Sequence, residues 1–209
     1  MVTSSFYISF SSVFVSYLSL GDSFALDMAT TTVALGKVEL EKRKENQMPD
    51  GWGADSEGIM TNDPGTCLNG GGLLPLGGME QTGGYKGYGL ALMVEMFCGI
   101  LGGANYSNNV RKWGDTSVAA NLGQCFVAVD PGCFAPGFVD RMDDLHRIHR
   151  DLTPSPAAPG PVLVPGDPER QHIAKCDELG GIPYHQNVVR HMNNLAIANN
   201  VDPMRFTSI

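Results

Sequence analysis

The sequence predicts an α/β domain, and three observations lead to this class. The chain of 209 residues holds 26 glycines and 13 prolines, which require more turns and loops than a helical bundle has. Short apolar runs at 22–29, 123–129 and 162–164 are strand candidates. Segments with helical spacing separate them, most clearly at 138–152, where apolar residues recur at steps of four, three, three and four.

Residues 1–20 differ in composition from the rest of the chain. They carry no charged side chain and hold seven serines. They lack the basic start and the small-residue cleavage site of a secretory signal, and the serines dilute the apolar character that a membrane span needs. We therefore predict a β-rich or poorly ordered leader at 1–20 and a single domain at 21–209, with a targeting or membrane role as the alternative.

The strand candidate at 22–29 is followed by a predicted helix at 33–45 and a turn-rich loop at 48–64. Several acids lie in or near this loop, and acids in loops are usually helix caps and turn formers. Acid–base chemistry by a pair of these carboxylates is the alternative. The acids are Asp27, Asp50, Asp55, Glu57 and Asp63.

A glycine-rich loop leads into an apolar segment within 73–104. Residues 90–101 are apolar on nearly every side, which predicts a buried helix. The N–H groups at the start of a helix, together with the charge of Lys86, favour an anion site, whereas the alternative is a tight turn that feeds a core helix. Neither the Walker A spacing nor the Rossmann glycine fingerprint fits, so a P-loop kinase and a Rossmann dehydrogenase are both disfavoured.

The C-terminal part begins with a polar loop at 105–120 and the strand candidate at 123–129. The amphipathic helix at 138–152 and a proline-rich connector at 153–161 follow. The third strand candidate then leads into a helix with Pro168 near its first turn, and a last helix spans 184–200.

Composition excludes some classes of function. A net charge of −8 and a pI near 5.0 leave no basic surface for nucleic acid. Five scattered cysteines without a C-x-x-C pair predict reduced thiols in a cytoplasmic protein without a zinc site. His146 and His149 lie three apart on the amphipathic helix, where a solvated face is expected and metal ligation is the alternative.

Six segments occur in an order that resembles the malate/L-lactate dehydrogenase family of NAD(P)-dependent oxidoreductases, which also includes ureidoglycolate and sulfolactate dehydrogenases. The segments are FALDMATTTVALGKV (24–38), PDGWGADSEGIMTNDP (49–64), LLPLGG (73–78), GGYKGYGLALMVEMFCGILGGA (83–104), NLGQCFVAVDP (121–131) and VLVPGDPE (162–169). The resemblance covers nearly everything from Gly21 onward.

The resemblance implies a three-layer α/β/α fold around a mixed, non-Rossmann sheet, and a homodimer. It implies hydride transfer between NAD or NADP and the CH–OH or C=O carbon of a small 2-hydroxy or 2-oxo acid, with no membrane or nucleic-acid partner. By their place in the family's motifs, ten residues are expected to contact the cofactor: Asp27, Met28, Ala29, Lys86, Arg141, Met142, Asp143, Gly166, Asp167 and Pro168.

One departure from the family pattern concerns the catalytic residue. The family's acid–base histidine precedes the D-M-A segment, which is Asp27-Met28-Ala29 in this chain. No histidine precedes Asp27 here, so no catalytic residue is assigned. The chain is therefore expected to be the C-terminal portion of such an enzyme, N-terminally truncated and with an unrelated leader. The alternative function is a non-catalytic fragment that binds nucleotide or dimerises with a complete subunit.

Overall fold

The computed structural model describes the backbone of residues 11–17 and all atoms of residues 22–112 and 115–206. The rest of the predicted leader at 1–20 lies outside the described residues. The chain is a mixed α/β protein that divides into two compact units. One comprises residues 1–11, 29–126 and 184–209, and the other residues 12–28 and 127–183. We refer to them as the first and the second unit.

The described residues form five strands and six α-helices. The strands are β1 (Ser11–Tyr17), β2 (Ser23–Ala29), β3 (Gly53–Ala54), β4 (Met60–Thr61) and β5 (Gly72–Leu73). The helices are α1 (Leu35–Lys44), α2 (Pro64–Leu68), α3 (Gly84–Val94), α4 (Phe138–Arg150), α5 (Asp167–Leu179) and α6 (Gln186–Ala198). A π-helix, Glu95–Ile100, continues α3 directly. None of the helices in these described ranges is long and apolar enough to cross a membrane.

The first unit is built on a small core beside a small sheet. Val38 of α1, Met48 and Cys67 of α2 are buried against one another. The antiparallel sheet has the order β4-β3-β5, and Gly53 pairs with residues of both neighbouring strands. Helix α6 joins α1 through the Asn187 side-chain amide, which donates to the Arg43 carbonyl at 2.8 Å.

The second unit packs α4 against β2, which pairs with β1 in a two-stranded sheet. The rings of Phe24 and His146 lie 5.8 Å apart, centroid to centroid. The Ala25 N–H donates to the carbonyl of Pro165, just before α5, at 3.3 Å. Strand β2 therefore contacts both helix α4 and the turn before α5.

The structure confirms the elements that have a strong local pattern. Strand β2 matches the candidate at 22–29, and helices α1, α4 and α6 match the predictions at 33–45, 138–152 and 184–200 within a few residues at each end. Helix α5 begins with Pro168 in its first turn, as predicted.

Two predicted strands are wrong. Residues 123–129 and 162–164 have no regular structure, because no strand among the described residues lies beside either segment. A strand forms only when its backbone groups are paired, and apolar composition alone does not supply a partner.

The prediction of a buried helix at 90–101 is also wrong. Leu92 is 50 % and Leu101 70 % exposed. Helix α3 and the π-helix bury their small positions Gly84, Gly87 and Gly99 instead. The helix therefore packs through its backbone on the glycine side. Glu95 is also buried, whereas the large apolar side chains of Leu92, Met93, Met96 and Phe97 remain exposed.

Candidate functional site

The glycine loop before α3 brings two stretches of backbone into direct contact. A Cβ atom built on Gly84 would lie 2.0 Å from the Gly78 carbonyl oxygen, and one on Gly87 would lie 2.3 Å from that of Leu76. No side chain fits at either position. The density of glycine in this segment is therefore explained by close packing of the loop on the first turns of α3.

Lys86 lies in the first turn of α3. Its side chain is exposed, and its ammonium lies 5.9 Å from the centroid of the Tyr85 ring. The Gly84 N–H donates to Met79 O and the Lys86 N–H to Gly83 O, so these two amides are not available to an anion. Within the described residues the ammonium has no hydrogen bond or ion pair, so its three N–H groups are free to donate.

The end of β2 is tied to the start of the same loop. The Leu76 N–H donates to Thr30 O at 2.9 Å, and the Thr32 N–H donates to Leu74 O at 2.9 Å. Leu76 is also the residue whose backbone lies against Gly87. Ala29, next to Thr30, and Lys86, next to Gly87, are thus connected through a single residue, Leu76. Within the first unit, the backbone next to Ala29 and the backbone next to Lys86 therefore both contact Leu76.

Asp27 and Met28 precede Ala29 in β2 and belong to the second unit. The Asp27 side chain is exposed, and Met28 is half-buried. Alternation along a strand places Asp27 on the opposite face from Phe24, which packs on α4. The carboxylate therefore lies on the face of β2 that does not contact His146.

In the second unit, Asp167 is the centre of an ion-pair cluster. Arg150 donates to both of its carboxylate oxygens, at 3.0 and 2.7 Å, and Arg170 donates to Oδ1 at 2.7 Å. The Val164 N–H donates to Oδ2 at 3.0 Å. Arg150 also donates to Asp22 at 2.8 Å. Both oxygens of Asp167 thus have protein donors, so its side chain acts structurally by holding the turn at Gly166.

The cluster shifts the pKa of its members in the direction that keeps them charged. The hydrogen bond from Arg150 is the main reason that the pKa of Asp22 falls to about 2. The pKa of the Asp167 carboxyl also lies well below its usual range, chiefly because of Arg150. The hydrogen bonds that Arg150 donates to Asp167 and Asp22 raise the pKa of its guanidinium.

Gly166 and Pro168 lie on either side of Asp167. Gly166 has φ of 102°, and a Cβ there would lie 2.8 Å from an Arg170 guanidinium nitrogen. The turn therefore requires glycine for its backbone conformation and for the space that Arg170 occupies. Pro168 is exposed on the first turn of α5.

Arg141 and Met142 line an apolar cleft of about 530 Å³ in the second unit. The other lining residues come from the loop before α4 and from α4 itself: Val129, Pro131, Phe134, Ala135, Phe138 and Leu145. Arg141 supplies the positive charge of this lining. Asp143, the third predicted residue of this group, is half-buried on α4.

The predicted solvated pair of histidines is half right. His149 is exposed, and its Nδ1 lies 2.9 Å from Leu145 O. His146 is only 2 % exposed, because α4 turns it toward β2, where its Nδ1 lies 3.6 Å from Asp22 Oδ2. No group of three potential metal ligands occurs in the part of the chain that the structure describes.

Two of the loop acids form turns or caps. Asp55 Oδ1 accepts the N–H groups of Glu57 and Ile59, each at 2.9 Å, and Asp63 caps α2 by accepting the Thr66 N–H. These bonds confirm the expected structural role of both carboxylates.

Arg150 and Asp22 were not singled out from the sequence, although they hold the α5 turn. Asp167 and Arg170 have the i, i+3 spacing of a helical ion pair, so their contact can be predicted from the sequence. The contact between Arg150 and Asp22 spans 128 residues, and a single sequence contains no signal for it.

The family model for malate/L-lactate dehydrogenase matches residues 16–193. The chain belongs to the malate/L-lactate dehydrogenase family. All ten residues that were expected to contact the cofactor lie inside the matched range.

Family members of known activity are similar to this chain over most of its length. The malate dehydrogenase of Pyrococcus abyssi is 41% identical over 180 residues, which cover 84% of this chain and 48% of that protein. The ureidoglycolate dehydrogenase (NAD(+)) of Escherichia coli is 33% identical over 176 residues, which cover 83% of this chain and 47% of that enzyme. The chain thus spans about half the length of the curated relatives that it matches.

A solved structure of the family agrees with the fold. The sulfolactate dehydrogenase from Methanocaldococcus jannaschii superposes with a TM-score of 0.68 at 28% identity, over 91% of this chain and 52% of that one. Nearly all of this chain therefore has the fold of about half of the sulfolactate dehydrogenase.

Proposed function

We propose that this chain forms the cofactor-binding part of an NAD(P)-dependent 2-hydroxy-acid dehydrogenase. The observation that supports the proposal is the contact of Leu76 with both Thr30 and Gly87, the sequence neighbours of Ala29 and Lys86. Ala29 and Lys86 both belong to the segments by which the chain resembles the family.

The chemistry of the free groups fits a nicotinamide cofactor. An exposed ammonium suits the phosphate and hydroxyl oxygens of a dinucleotide, and the carboxylate of Asp27 suits its ribose hydroxyls or amide. We propose contacts from the backbone of Gly166 and Pro168 rather than from the Asp167 carboxylate, whose oxygens are already bonded. Arg141, Met142 and Asp143 complete the proposed contacts.

When bound, the cofactor would supply a hydride acceptor or donor for the CH–OH or C=O carbon of a small 2-hydroxy or 2-oxo acid. The residues of this chain would bind and orient it: Lys86 by charge, the Gly166 turn by its shape, and Ala29 by close backbone approach. The fixed turn keeps the cost of ordering these groups low when the ligand binds. The name of the Escherichia coli relative supports NAD, and NADP is the second cofactor to be tested.

Other family properties belong to the same proposal. We propose a three-layer α/β/α arrangement for the complete fold, a homodimer, and a cytoplasmic location. The five cysteines form no disulfide with one another.

A second candidate function is nucleotide binding without turnover by the chain alone. One observation favours it: all five histidines lie at or beyond position 146, so none takes the place of the family's acid–base histidine upstream of Asp27. The loss of a general acid–base commonly lowers the rate by roughly 10²–10⁴-fold.

Steady-state assays separate the two candidates. The purified chain is incubated with NADH or NADPH and a panel of 2-oxo acids that includes oxaloacetate, pyruvate and sulfopyruvate, and cofactor absorbance is followed. Turnover on the order of 1 s⁻¹ or more, typical of enzymes, supports the dehydrogenase candidate for the isolated chain. Cofactor binding without turnover supports the second candidate, and the absence of both contradicts the proposal.

A further inference from the structure

Helix α5 carries a cysteine and a histidine that contact each other. Cys176 Sγ lies 3.6 Å from His172 Nε2. The two residues are four apart in sequence, so their side chains lie on one face of the helix. Both belong to the second unit, where His172 is exposed and Cys176 is half-buried. We call them the thiol–imidazole pair. Thiolate sulfur and imidazole nitrogen are ligands that zinc prefers in proteins.

The distance between the two atoms matches the separation of two ligands on one tetrahedral ion. Zinc binds thiolate sulfur at about 2.3 Å and imidazole nitrogen at about 2.0–2.1 Å. Two such bonds at the tetrahedral angle of about 109° place the sulfur and the nitrogen about 3.6 Å apart. The pair already has this separation, so an ion can contact both atoms without moving them apart or together.

The helix that carries the pair is fixed at both ends. In its first turn, Asp167 accepts hydrogen bonds from Arg150. At its end, Gly180 has φ of 69°, and the Gly181 N–H donates to Cys176 O at 3.0 Å. The backbone at Cys176 is therefore ordered before any ligand arrives, which lowers the entropic cost of binding.

A second thiol of the same unit has a different neighbour. Cys133 Sγ lies 3.8 Å from Asp130 Oδ2, and the same carboxylate accepts the Gly132 N–H through Oδ1. The atom beside this thiol is thus a carboxylate oxygen that already belongs to a turn, and not an imidazole nitrogen. Cys133 is exposed and serves as the matched control for Cys176.

We propose that His172 and Cys176 bind a zinc ion, with water as the remaining ligands. The pair provides two ligands, since no group of three occurs in the ranges that the structure describes. The expectation of no zinc site was based on the absence of a C-x-x-C pair, and a histidine and a cysteine one helical turn apart are a different pattern. The net charge of −8 favours the approach of a cation.

Binding exchanges a proton for the metal ion. The S–H bond of Cys176 breaks, a sulfur–zinc bond forms, and the proton passes to solvent, while neutral His172 donates its Nε2 lone pair. No electron is transferred, so the step needs no oxidant or reductant. Zinc binding is therefore expected to release close to one proton for each ion bound.

Cobalt(II) titration of the reduced full chain near neutral pH tests the proposal, because cobalt occupies zinc sites and absorbs by charge transfer when thiolate binds it. The expected result is saturable binding with this absorption, which zinc abolishes. Cys176→Ser should remove the absorption, and His172→Gln should weaken binding at least about tenfold, since the loss of even an outer-shell partner of a metal ligand costs that much.

Cys133→Ser and His149→Gln are the controls, and both should bind cobalt as the unmodified chain does. The proposal is overturned if no thiolate absorption appears, if it persists in Cys176→Ser, or if His172→Gln and His149→Gln bind equally well. All four substitutions change side chains of the second unit that are exposed or half-buried, and circular dichroism checks that each variant is folded.

Proton release by the unmodified chain is an independent test that needs no variant. Calorimetric zinc titration in two buffers with different enthalpies of ionisation measures it, and a value near zero contradicts ligation by a thiolate. Both experiments are done without cofactor, so failure of this proposal is distinguishable from failure of the proposed function.

Discussion

Lys86 and Asp167 were both predicted to contact a cofactor, yet they lie in opposite chemical settings. The Lys86 ammonium has no charged partner among the described residues, whereas the Asp167 carboxylate accepts four hydrogen bonds from Arg150, Arg170 and Val164. The unpaired ammonium is available to a ligand, whereas the carboxylate, whose oxygens already accept hydrogen bonds, stabilises the fold. Hydrogen bonding therefore distinguishes Lys86 from Asp167, although the sequence predicts the same role for both.

The ion-pair cluster makes folding stability depend on pH. The pKa of Asp22 is about 2 in the folded chain, below the 3.8 of an unperturbed aspartate. Its contribution to the free energy of unfolding is therefore present above about pH 4 and is lost as the pH falls from about 4 to 2. After allowance for solvent screening, the loss is about 1 to 2 kcal/mol. Urea unfolding between pH 7 and pH 2.5 measures it.

Asp22→Asn should flatten this part of the pH profile, because the amide does not titrate. Asp144→Asn removes a carboxylate of the exposed Arg147 ion pair on the same helix and serves as the control, with a profile like that of the unmodified chain. A profile for Asp22→Asn as steep as that of the control would remove Asp22 from the account.

At the scale of elements, α3 offers a matched pair of glycines. A Cβ at Gly87 would lie 2.3 Å from Leu76 O, whereas a Cβ at Gly89 would meet nothing within 4 Å. Gly87→Ala should therefore lower the free energy of unfolding by about 1–3 kcal/mol, the usual cost of overpacking. Gly89→Ala should raise it by up to about 1 kcal/mol, since alanine is the better helix former. Chemical denaturation of both variants is the measurement, and equal effects would show that the loop does not pack on α3 as described.

The elements that were predicted correctly are those whose signal is local. The four-three-three-four spacing from Phe138 to Leu152 specifies α4 without reference to any other segment. Residues 123–129 have an equally clear composition, but a strand depends on a partner elsewhere, and none lies beside them in the described chain. The prediction that residues 90–101 are buried was wrong for a similar reason. Burial of a helix depends on the segments that pack on it, and the local sequence does not specify them.

In the candidate site too, the local sequence predicts some features, whereas others depend on contacts between distant segments. The D-M-A motif (27–29) and the K-G-Y-G-L motif (86–90) can be recognised in the sequence. Their connection through Leu76 depends on the hydrogen bond from Leu76 N–H to Thr30 O, between residues far apart in the chain. The role of Asp167 depends on Arg150, which no local pattern indicates. Sequence patterns therefore identified candidate residues, and only the fold distinguishes ligand contacts from structural ones.

At the scale of the whole molecule, the chain combines a family match over residues 16–193 with about half the length of its relatives. The residues proposed to bind cofactor lie inside the matched range, while no acid–base histidine is assigned. A measurement of cofactor binding therefore tests the proposed role of this chain more directly than a measurement of turnover.

Calorimetric titration with NADH and NADPH tests whether the chain binds a nicotinamide cofactor through Lys86. The account predicts saturable binding of at least one cofactor, weakened by about tenfold or more in Lys86→Ala, because a charge-assisted hydrogen bond is lost. Lys37→Ala removes an exposed lysine from α1 and should leave the affinity unchanged. No binding of either cofactor, or equal affinities for Lys86→Ala and Lys37→Ala, would contradict the account.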